Sequence, residues 1–170
     1  MLAALNGLDL KGADCEGAYL NVPSRERLCT KCGPEFGEYA GRWAIIRRAL
    51  YGSKSAAASW RGEISRVIEG LGFKMCRADN DVWLRPAVSA QGTSVYECVL
   101  VYSDDLLVVA LDTDRILLHI DQHFKLKDGS VGIPDRYLGA NIGKCTLPDG
   151  TEAWHMSSEC HVKEIGRAHV

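Results

Sequence analysis

The first clear pattern along the chain is that of an amphipathic helix. Downstream of Ser53, apolar residues recur at steps of three and four, which places them on one face of an α-helix. Ser53 or Ser55 can cap the start of this helix. Gly70 or Gly72 can end it. The predicted apolar face consists of Ala57, Trp60, Ile64, Val67, Ile68 and Leu71.

The second pattern is a tight hairpin with acids at its tip. Two apolar, β-rich runs cover residues 95–102 and 106–111. Only Ser103, Asp104 and Asp105 separate them. Because so short a connection joins neighbouring antiparallel strands, the two runs predict a β-hairpin.

The rest of the chain adds a second helix and further strands. Asp112 or Thr113 can cap a helix whose apolar face holds Ile116, Leu117, Ile120 and Phe124. Residues 15–42 are rich in turn formers and are interpreted as loop and short strand. Strands are predicted at residues 81–85, 137–142 and 152–156. This order predicts an α+β fold, an antiparallel sheet with helices packed on one face and a ferredoxin-like split-βαβ core.

Composition narrows the class of protein. The 170 residues are 46% hydrophobic and 25% charged, which is typical of one globular domain. A net charge of −2 gives no support to a stand-alone nucleic-acid binder. No apolar run reaches the ~20 residues of a membrane span, so no membrane association is predicted. The seven scattered cysteines indicate reduced, intracellular thiols. The Cys29–Cys32 spacing lacks the further ligands of a zinc site.

The adjacent acids at the hairpin tip carry the candidate chemistry. Two carboxylates held close together repel each other, and a divalent cation relieves that repulsion. Oxygen ligands of this kind suit Mg²⁺. From the local pattern alone, two interpretations of Asp104 and Asp105 stay open: a solvated turn and a metal site.

Several ordered motifs point to one family. Tyr102–Asp105 (YSDD) resembles the Tyr-x-Asp-Asp signature of reverse transcriptases. Leu50–Trp60 (LYGSKSAAASW) is similar to the LYGLKQAPRAW stretch of copia-type retrotransposon polymerases. Three further elements of that family, LGFK…ADPDVW, FxMKD and FLG, are resembled by residues 71–83, 124–128 and 137–139. From about residue 8 to about residue 163, the chain therefore resembles a copia-type (pseudoviral) reverse transcriptase.

The resemblance also implies a first catalytic acid upstream. The family pattern is Asp-x-x-x-Ala-aromatic-Leu-Asn/Gln, and residues 14–21 (DCEGAYLN) match it throughout. Asp9 begins a similar stretch but puts Asp14 where the aromatic residue belongs. We predict Asp14 as the first metal ligand and keep Asp9 as the alternative.

The implied activity is that of an RNA-directed DNA polymerase. Its two-metal mechanism uses two Mg²⁺ ions, with Mn²⁺ as a possible substitute, to activate the primer 3′-hydroxyl and to hold the triphosphate. Asp14, Asp104 and Asp105 are the implied catalytic and metal-binding residues. The later family Lys, which acts on pyrophosphate, corresponds to Lys127 or Lys125.

The resemblance also assigns two sets of substrate contacts. Tyr19 is the implied steric gate against a ribose 2′-hydroxyl. The implied nucleotide-binding residues are Ala18, Tyr19, Gly52 and Lys54, and the implied primer–template residues are Tyr102, Tyr137, Leu138 and Gly139.

The implied organisation is that of a retroelement polyprotein. Residues 1–163 are expected to form a polymerase palm with partial fingers and the start of the thumb connection. The expected partners are an RNA or DNA template-primer, dNTPs and the remaining fingers, thumb and ribonuclease H parts. The expected location is the cytoplasm, in a virus-like particle, or the nucleus, and not the secretory route. Two alternatives stay open: an inactive retroelement-derived fragment and a small RNA-binding module.

Three departures from the family pattern stand out. Ser103 replaces the usual Val or Met of the hairpin turn, and Ala57 replaces a usual Pro. The last residues, 164–170, resemble a translated sequencing adapter, because IGRAHV corresponds to ATC GGA AGA GCA CAC GTC. We predict that this tail is non-native and contributes nothing to the fold.

Overall fold

A computed structural model describes residue 3, residues 6–159 and residue 162 of the chain. The tail that the sequence predicts to be non-native, residues 164–170, lies outside the described residues. The chain divides into two compact units. The smaller unit is residues 17–67, and the larger unit is formed by the residues before and after it.

Ten strands and two α-helices make up the regular structure of the described residues. The strands are β1 (Asp9–Asp14), β2 (Pro23–Lys31), β3 (Trp43–Arg48), β4 (Lys74–Met75), β5 (Val82–Val88), β6 (Ser94–Tyr102), β7 (Asp105–Ala110), β8 (Arg136–Tyr137), β9 (Ala140–Thr146) and β10 (Glu152–Ser157). The helices are α1 (Ala56–Gly70) and α2 (Thr113–Asp121), and two 3₁₀ turns cover Ala18–Asn21 and Pro34–Tyr39.

A five-stranded antiparallel sheet is the centre of the larger unit. Its strand order is β1-β7-β6-β5-β4. β6 and β7 form the predicted hairpin, in which Tyr102 faces Asp105 across a two-residue turn. Leu106, Leu107 and Val108 of β7 are buried in succession, so apolar side chains fill both faces of this strand.

Helix α2 covers one face of this sheet. Of the two predicted capping residues, Asp112 and Thr113, Asp112 is the cap, since its carboxylate accepts a hydrogen bond from the Arg115 N–H at 2.9 Å. Asp9 and Lys11 of β1 point toward this helix. Lys11 Nζ lies 2.6 Å from the Asp114 carboxylate, and Asp9 accepts a hydrogen bond from Thr113 Oγ1 at 3.0 Å. The buried face of α2 consists of Thr113, Ile116, Leu117 and Ile120.

A three-stranded sheet, β10-β9-β8, packs near the opposite face. The ring of Tyr137 is buried there with Leu10 and Leu107. The sequence predicts one strand over residues 137–142, and the structure corrects this. Leu138 and Gly139 have φ values of +48° and +81°, so they form the turn between β8 and β9. Two successive positive φ values are typical of a tight hairpin turn and incompatible with a continuous strand.

The edge of β1 that faces away from β7 is also hydrogen-bonded. Gly12 and Gly132 exchange backbone hydrogen bonds of 2.7 and 3.1 Å. Farther along, the Lys127 N–H donates to the Asp14 carbonyl at 2.8 Å. Residues 125–132 therefore run antiparallel beside β1, so β1 is held from both sides.

The smaller unit holds a two-stranded ribbon, β2 and β3. The nine-residue strand β2 lies where the sequence predicts loop and short strand. Its residues are mostly polar and give no apolar alternation that would have indicated a strand.

The predicted end of α1 is confirmed in the residues that follow it. Gly72, with φ +86°, donates its N–H to the Glu69 carbonyl at 2.8 Å.

Glu26 of β2 anchors the start of α1. Its Oε1 accepts hydrogen bonds from the Ser55 N–H at 2.7 Å and from the Ser55 hydroxyl at 2.6 Å. A carboxylate at a helix N-terminus satisfies N–H groups that the helix leaves without partners, and it complements the helix dipole. These hydrogen bonds lower the pKa of Glu26 below its usual 4.5.

Replacing Glu26 by Gln is expected to lower the thermal midpoint of unfolding at pH 7. Because the folded-state pKa is lowered, the contribution of Glu26 is complete above pH 4.5 and is lost as the pH falls through the folded-state value. The difference between the two proteins is therefore expected to disappear in acid. Thermal denaturation followed by circular dichroism at several pH values measures this, with the exposed Glu38→Gln as control. An equal difference at every pH would contradict it.

Candidate active site

Three acids meet at one end of the five-stranded sheet. Asp14 ends β1 and pairs with Asp105, the first residue of β7. Asp104 lies in the turn before Asp105, and its carbonyl accepts the Cys15 N–H at 2.8 Å. Facing residues of antiparallel strands have Cβ atoms about 4.5–5.5 Å apart and share a face. The strand register thus brings together Asp14 and Asp105, with Asp104 beside them; we call these three residues the acid cluster.

Asp9 lies at the other end of the same strand. It pairs with Ala110, whereas Asp14 pairs with Asp105. Five residues of extended strand separate two Cα atoms by roughly 17 Å. Asp9 also points to the opposite face, toward α2, where its carboxylate accepts the Thr113 hydroxyl. Asp14, and not Asp9, therefore lies at the same end of the sheet as Asp104 and Asp105.

The acids affect the titration of the groups around them. Burial raises the pKa of Asp105, and the neighbouring Asp104 and Asp14 raise it further. Cys15 is fully buried behind the cluster, and burial together with the three acids raises the pKa of its thiol to about 12. The raised pKa keeps the buried Cys15 thiol in its protonated form at neutral pH, and a thiol is a weaker nucleophile than a thiolate. The mutual repulsion of the acids favours the binding of a cation.

Two residues of the 125–132 segment hold Asp14. Ser130 Oγ accepts the Asp14 N–H at 3.1 Å, in place of a strand carbonyl. Lys127 Nζ lies 4.0 Å from Asp14 Oδ2. From the sequence, Lys127 is interpreted as a candidate pyrophosphate contact, and Ser130 is not identified. No local signal marks Ser130, because its partner lies 116 residues away in the chain.

The hairpin turn itself has an unusual backbone. Ser103 has φ +55°, in the left-handed region. Turns with a positive φ at the first central residue prefer Gly there. The tip of the hairpin is therefore a strained turn that a well-packed pair of strands holds in place.

The donor set is the kind that Mg²⁺ binds, since it consists of carboxylate oxygens. In the part of the chain that the structure describes, however, no group of three or more His, Cys, Asp or Glu side chains is gathered closely enough to hold a metal ion. The backbone places the acid cluster at one strand end, and the side chains would have to turn toward one another to share an ion.

The residues predicted to contact primer and template have different environments. Tyr102 is exposed and lies on the same face as Asp14 and Asp105, as the register requires. Tyr137 is only 7% exposed, and its ring packs in the core. Burial raises the pKa of its hydroxyl to about 12, and Asp105 adds to the shift. Leu138 is exposed in the following turn beside Gly139.

The residues predicted to bind the nucleotide lie in the smaller unit. Ala18 is fully buried. The rings of Tyr19 and Tyr51 are in contact, with centroids 4.5 Å apart. Gly52, with φ +88°, and the exposed Lys54 follow Tyr51 directly. The smaller unit thus joins the Tyr19 motif to the Leu50–Trp60 motif, although more than thirty residues separate Tyr19 from Gly52 in the chain.

Comparison with known families identifies the chain. The family described as "Reverse transcriptase (RNA-dependent DNA polymerase)" matches residues 1–149. The chain belongs to this reverse transcriptase family, which confirms the copia-type resemblance drawn from the motifs. No curated protein matches the chain. Neither helix of the described residues is long and apolar enough to cross a membrane.

Proposed function

We propose that this chain is the palm of an RNA-directed DNA polymerase that transfers nucleotides by a two-metal mechanism. The observation that carries the proposal is the pairing of Asp14 with Asp105, beside Asp104, at one end of the sheet. Family membership supports it independently. We place the palm in the larger unit and a partial fingers region in the smaller one.

The strand order and the connections along the chain support a ferredoxin-like palm core. β1 and β6 are parallel and separated by β7, with α1 between them in the chain. β7 and the 125–132 segment are likewise parallel and separated by β1, with α2 between them. This arrangement supports the ferredoxin-like split-βαβ core that we propose.

The acid cluster is the proposed metal-binding and catalytic group. When bound, Mg²⁺ supplies charge neutralisation for the triphosphate and lowers the pKa of the primer 3′-hydroxyl. Asp14 and Asp104 would hold the ions, and Asp105 would support them. Ser130 fixes the backbone of Asp14, and the hydrogen-bonded strands keep the three acids at one strand end, so that only their side chains would have to turn toward an ion. Lys127, close to Asp14, is suited to balance negative charge at this strand end.

The remaining roles follow from family resemblance. We propose Ala18, Tyr19, Gly52 and Lys54 as nucleotide contacts, and Tyr102, Tyr137, Leu138 and Gly139 as the primer–template region. The exposed Tyr102 and Leu138 can touch a strand directly, whereas the buried Tyr137 would act by positioning the turn after it. The proposed partners are template-primer, dNTPs and the other polyprotein parts, in the cytoplasm or nucleus.

Two observations favour a second candidate, a catalytically inactive member of the family. Among the described residues no three ligating side chains are gathered for a metal ion. Ser103 and Ala57 also depart from the family pattern. An inactive chain would keep the sheet but would not order Mg²⁺.

Primer extension on an RNA template tests the proposal. The full chain is expected to extend a labelled DNA primer with dNTPs and Mg²⁺, and Asp104→Asn is expected to abolish extension. In parallel, Mg²⁺ is expected to raise the thermal midpoint of the unmodified chain, because binding to the folded state stabilises it. Asp104→Asn should reduce that rise. Absence of both extension and a Mg²⁺-dependent rise would favour the inactive candidate.

Tyr19→Ala is expected to relax the choice of sugar. If the ring of Tyr19 excludes a ribose 2′-hydroxyl, its removal lets ribonucleotides in, since a steric clash rejects the wrong substrate without a specific contact. Parallel extension assays with rNTPs and dNTPs measure the ratio. Tyr19→Phe, which keeps the ring, should leave the ratio unchanged. Equal loss with both sugars would make Tyr19 a packing residue.

A further inference from the structure

Two histidines lie one turn apart at the end of helix α2. His119 belongs to the last turn of the helix, and His123 follows it by four residues. Residues i and i+4 of a helix share a face. The helical spacing continues past the last residue of α2, because Phe124 donates its N–H to the Ile120 carbonyl at 2.8 Å. The two imidazole rings have their centroids 4.9 Å apart and their planes tilted by 45°. We call His119 and His123 the histidine pair.

One hydrogen bond fixes the tautomer of His123. Its Nδ1 lies 2.9 Å from the His119 carbonyl oxygen. A carbonyl oxygen can only accept a hydrogen bond, so Nδ1 carries the proton. In the neutral ring the lone pair is then on Nε2, which is the atom that can bind a metal ion. Metal-binding histidines commonly donate their other ring N–H to a carbonyl, and this bond orients the ring toward the ion.

The separation of the two rings fits an ion that both of them bind. A Zn²⁺ ion about 2.1 Å from one nitrogen of each ring would lie roughly 3.2 Å from each ring centroid. Centroids 4.9 Å apart then subtend an angle of roughly 100° at the ion, close to the ~109° of tetrahedral coordination. Histidines four residues apart on one helix face are a known zinc-binding arrangement. The distance between the rings therefore suits a chelate.

The electrostatic surroundings favour a cation at this position. The carboxyl end of an α-helix carries a partial negative charge, which stabilises cations there. Asp121 adds a full negative charge in the same turn, and its carboxylate also accepts the Leu126 N–H at 2.8 Å. Arg115, one turn before His119, is a cation. It lines a groove together with Asp114 and Asp121, so two acids share that groove with it.

We infer that the histidine pair binds a divalent transition-metal ion, Zn²⁺ or Cu²⁺. Imidazole nitrogen suits these ions, whereas Mg²⁺ prefers oxygen ligands. Among the described residues, no third His, Cys, Asp or Glu side chain is close enough to complete the site. Water or a ligand from outside the chain would therefore fill the remaining coordination positions. The pair shares no residue with the acid cluster, and the inference does not depend on the proposed polymerase function.

A purely structural role of the pair makes a different prediction. A histidine near the end of a helix can cap one of the last carbonyls, as His123 does with the His119 carbonyl. In that case, substitution of His123 lowers the stability of the metal-free chain. Substitution of His119 does not, because the hydrogen bond uses its backbone. Neither substitution would change the affinity for zinc.

Isothermal titration calorimetry of Zn²⁺ into the full chain at neutral pH tests the inference. His119→Gln and His123→Gln are each expected to weaken binding at least about tenfold, because loss of a group that only orients a ligand already costs about 10–100-fold. The double variant should bind hardly more weakly than either single variant, since both rings bind the same ion. His155→Gln, which removes an exposed histidine of β10, is the matched control. Cys29→Ser, which removes an exposed thiol, is the second control.

Nuclear magnetic resonance supplies a measurement that belongs to the two rings. Less than one equivalent of Zn²⁺ should shift the ring nitrogen resonances of His119 and His123 together. At His123 the shift should be larger for Nε2 than for Nδ1, because Nδ1 stays bonded to the carbonyl. The two single variants assign the resonances, and circular dichroism verifies that each variant is folded.

The outcomes separate a shared metal site from the other roles. A loss of at least tenfold in both single variants, with little further loss in the double variant, supports the histidine pair as a metal site. Unchanged affinity overturns it, as do losses that add in the double variant, an effect of only one histidine, or an equal loss with Cys29→Ser. Asp104→Asn should keep Zn²⁺ binding at the pair. Loss of primer extension in Asp104→Asn therefore bears on the polymerase function and not on the histidine pair.

Discussion

Glu97→Ala is expected to destabilise the larger unit by about 3 kcal/mol, because removing one partner of a buried ion pair leaves the other charge uncompensated. Glu97 is only 4% exposed, on the central strand β6. Its Oε2 accepts hydrogen bonds from Arg85 Nε at 2.8 Å and from Arg85 Nη2 at 2.5 Å. Its Oε1 accepts the Leu111 N–H at 3.0 Å, just after β7 ends.

The Arg85–Glu97 pair connects three parts of the larger unit through hydrogen bonds. Arg85 Nη1 donates to the carbonyl of Leu71, after α1, and its guanidinium lies over the Phe73 ring with 4.4 Å to the centroid. Without Glu97, the Leu111 N–H would lose its acceptor, and the guanidinium would keep only the Leu71 carbonyl. Because Arg85 keeps a side-chain exposure of 29%, water can compensate in part, which places the expected loss at the lower end for buried pairs.

Urea denaturation followed by circular dichroism measures this loss, and an exposed pair provides the control. Glu63 and Arg66 form an ion pair of 2.7 Å on α1, with Arg66 largely in water. Pairs of this type contribute about 0.2–0.5 kcal/mol, so Glu63→Ala should have a small effect. If Glu97→Ala were no worse than Glu63→Ala, the Arg85–Glu97 network would not be a structural anchor.

Sequence reasoning succeeded where apolar residues set the periodicity. Four residues of the predicted stripe form the buried face of α1, namely Trp60, Ile64, Val67 and Ile68, whereas Ala57 is exposed and Leu71 follows the helix. The two apolar runs around Asp104 form the β6–β7 hairpin. The cap at Asp112 was also predictable, because a capping side chain acts within three residues of its own position. In each case, the residues that carry the sequence pattern and the residues that form the structure lie in the same short stretch of chain.

The sequence does not predict features that depend on exposed residues or on partners far away in the chain. β2 is polar on both faces, so its nine residues show no apolar alternation to identify a strand. The turn at Leu138–Gly139 requires a positive φ from a leucine, which local preference disfavours. The Arg85–Glu97 pair and the Ser130–Asp14 hydrogen bond join residues whose proximity only the folded sheet creates.

The candidate site contains features that the sequence predicts and features that it does not. The family motif favours Asp14 over Asp9 from the residues that follow each acid, and in the strand register Asp14 pairs with Asp105 whereas Asp9 pairs with Ala110. The motif does not predict which residues surround Asp14. The bonds from Ser130 and Lys127 reach it from a segment that lies more than a hundred residues later.

Asp14→Asn is expected to reduce primer extension by at least about a hundredfold, whereas Asp9→Asn should change it less than about threefold. Loss of residues that merely orient a metal ligand already costs about 10–100-fold, so loss of a ligand's charge should cost at least as much. The Asn side chain keeps the size of Asp. The bonds to Ser130 and Lys127 use the backbone N–H and carbonyl of residue 14, so the strand should stay in place.

Asp9→Asn is the matched control because it makes the same chemical change on the same strand. Its side-chain oxygen can still accept the Thr113 hydroxyl, and it lies at the end of β1 that faces Ala110. The thermal midpoint in the absence of metal should therefore be similar for both variants. In the presence of Mg²⁺, only Asp14→Asn should lose the metal-dependent rise, since only Asp14 stands beside Asp104 and Asp105. A larger loss of extension or of Mg²⁺ stabilisation in Asp9→Asn would assign the first metal ligand to Asp9. It would also mean that the active strand register differs from the one in this structure, because a carboxylate on the α2 side cannot join the acid cluster without re-pairing β1.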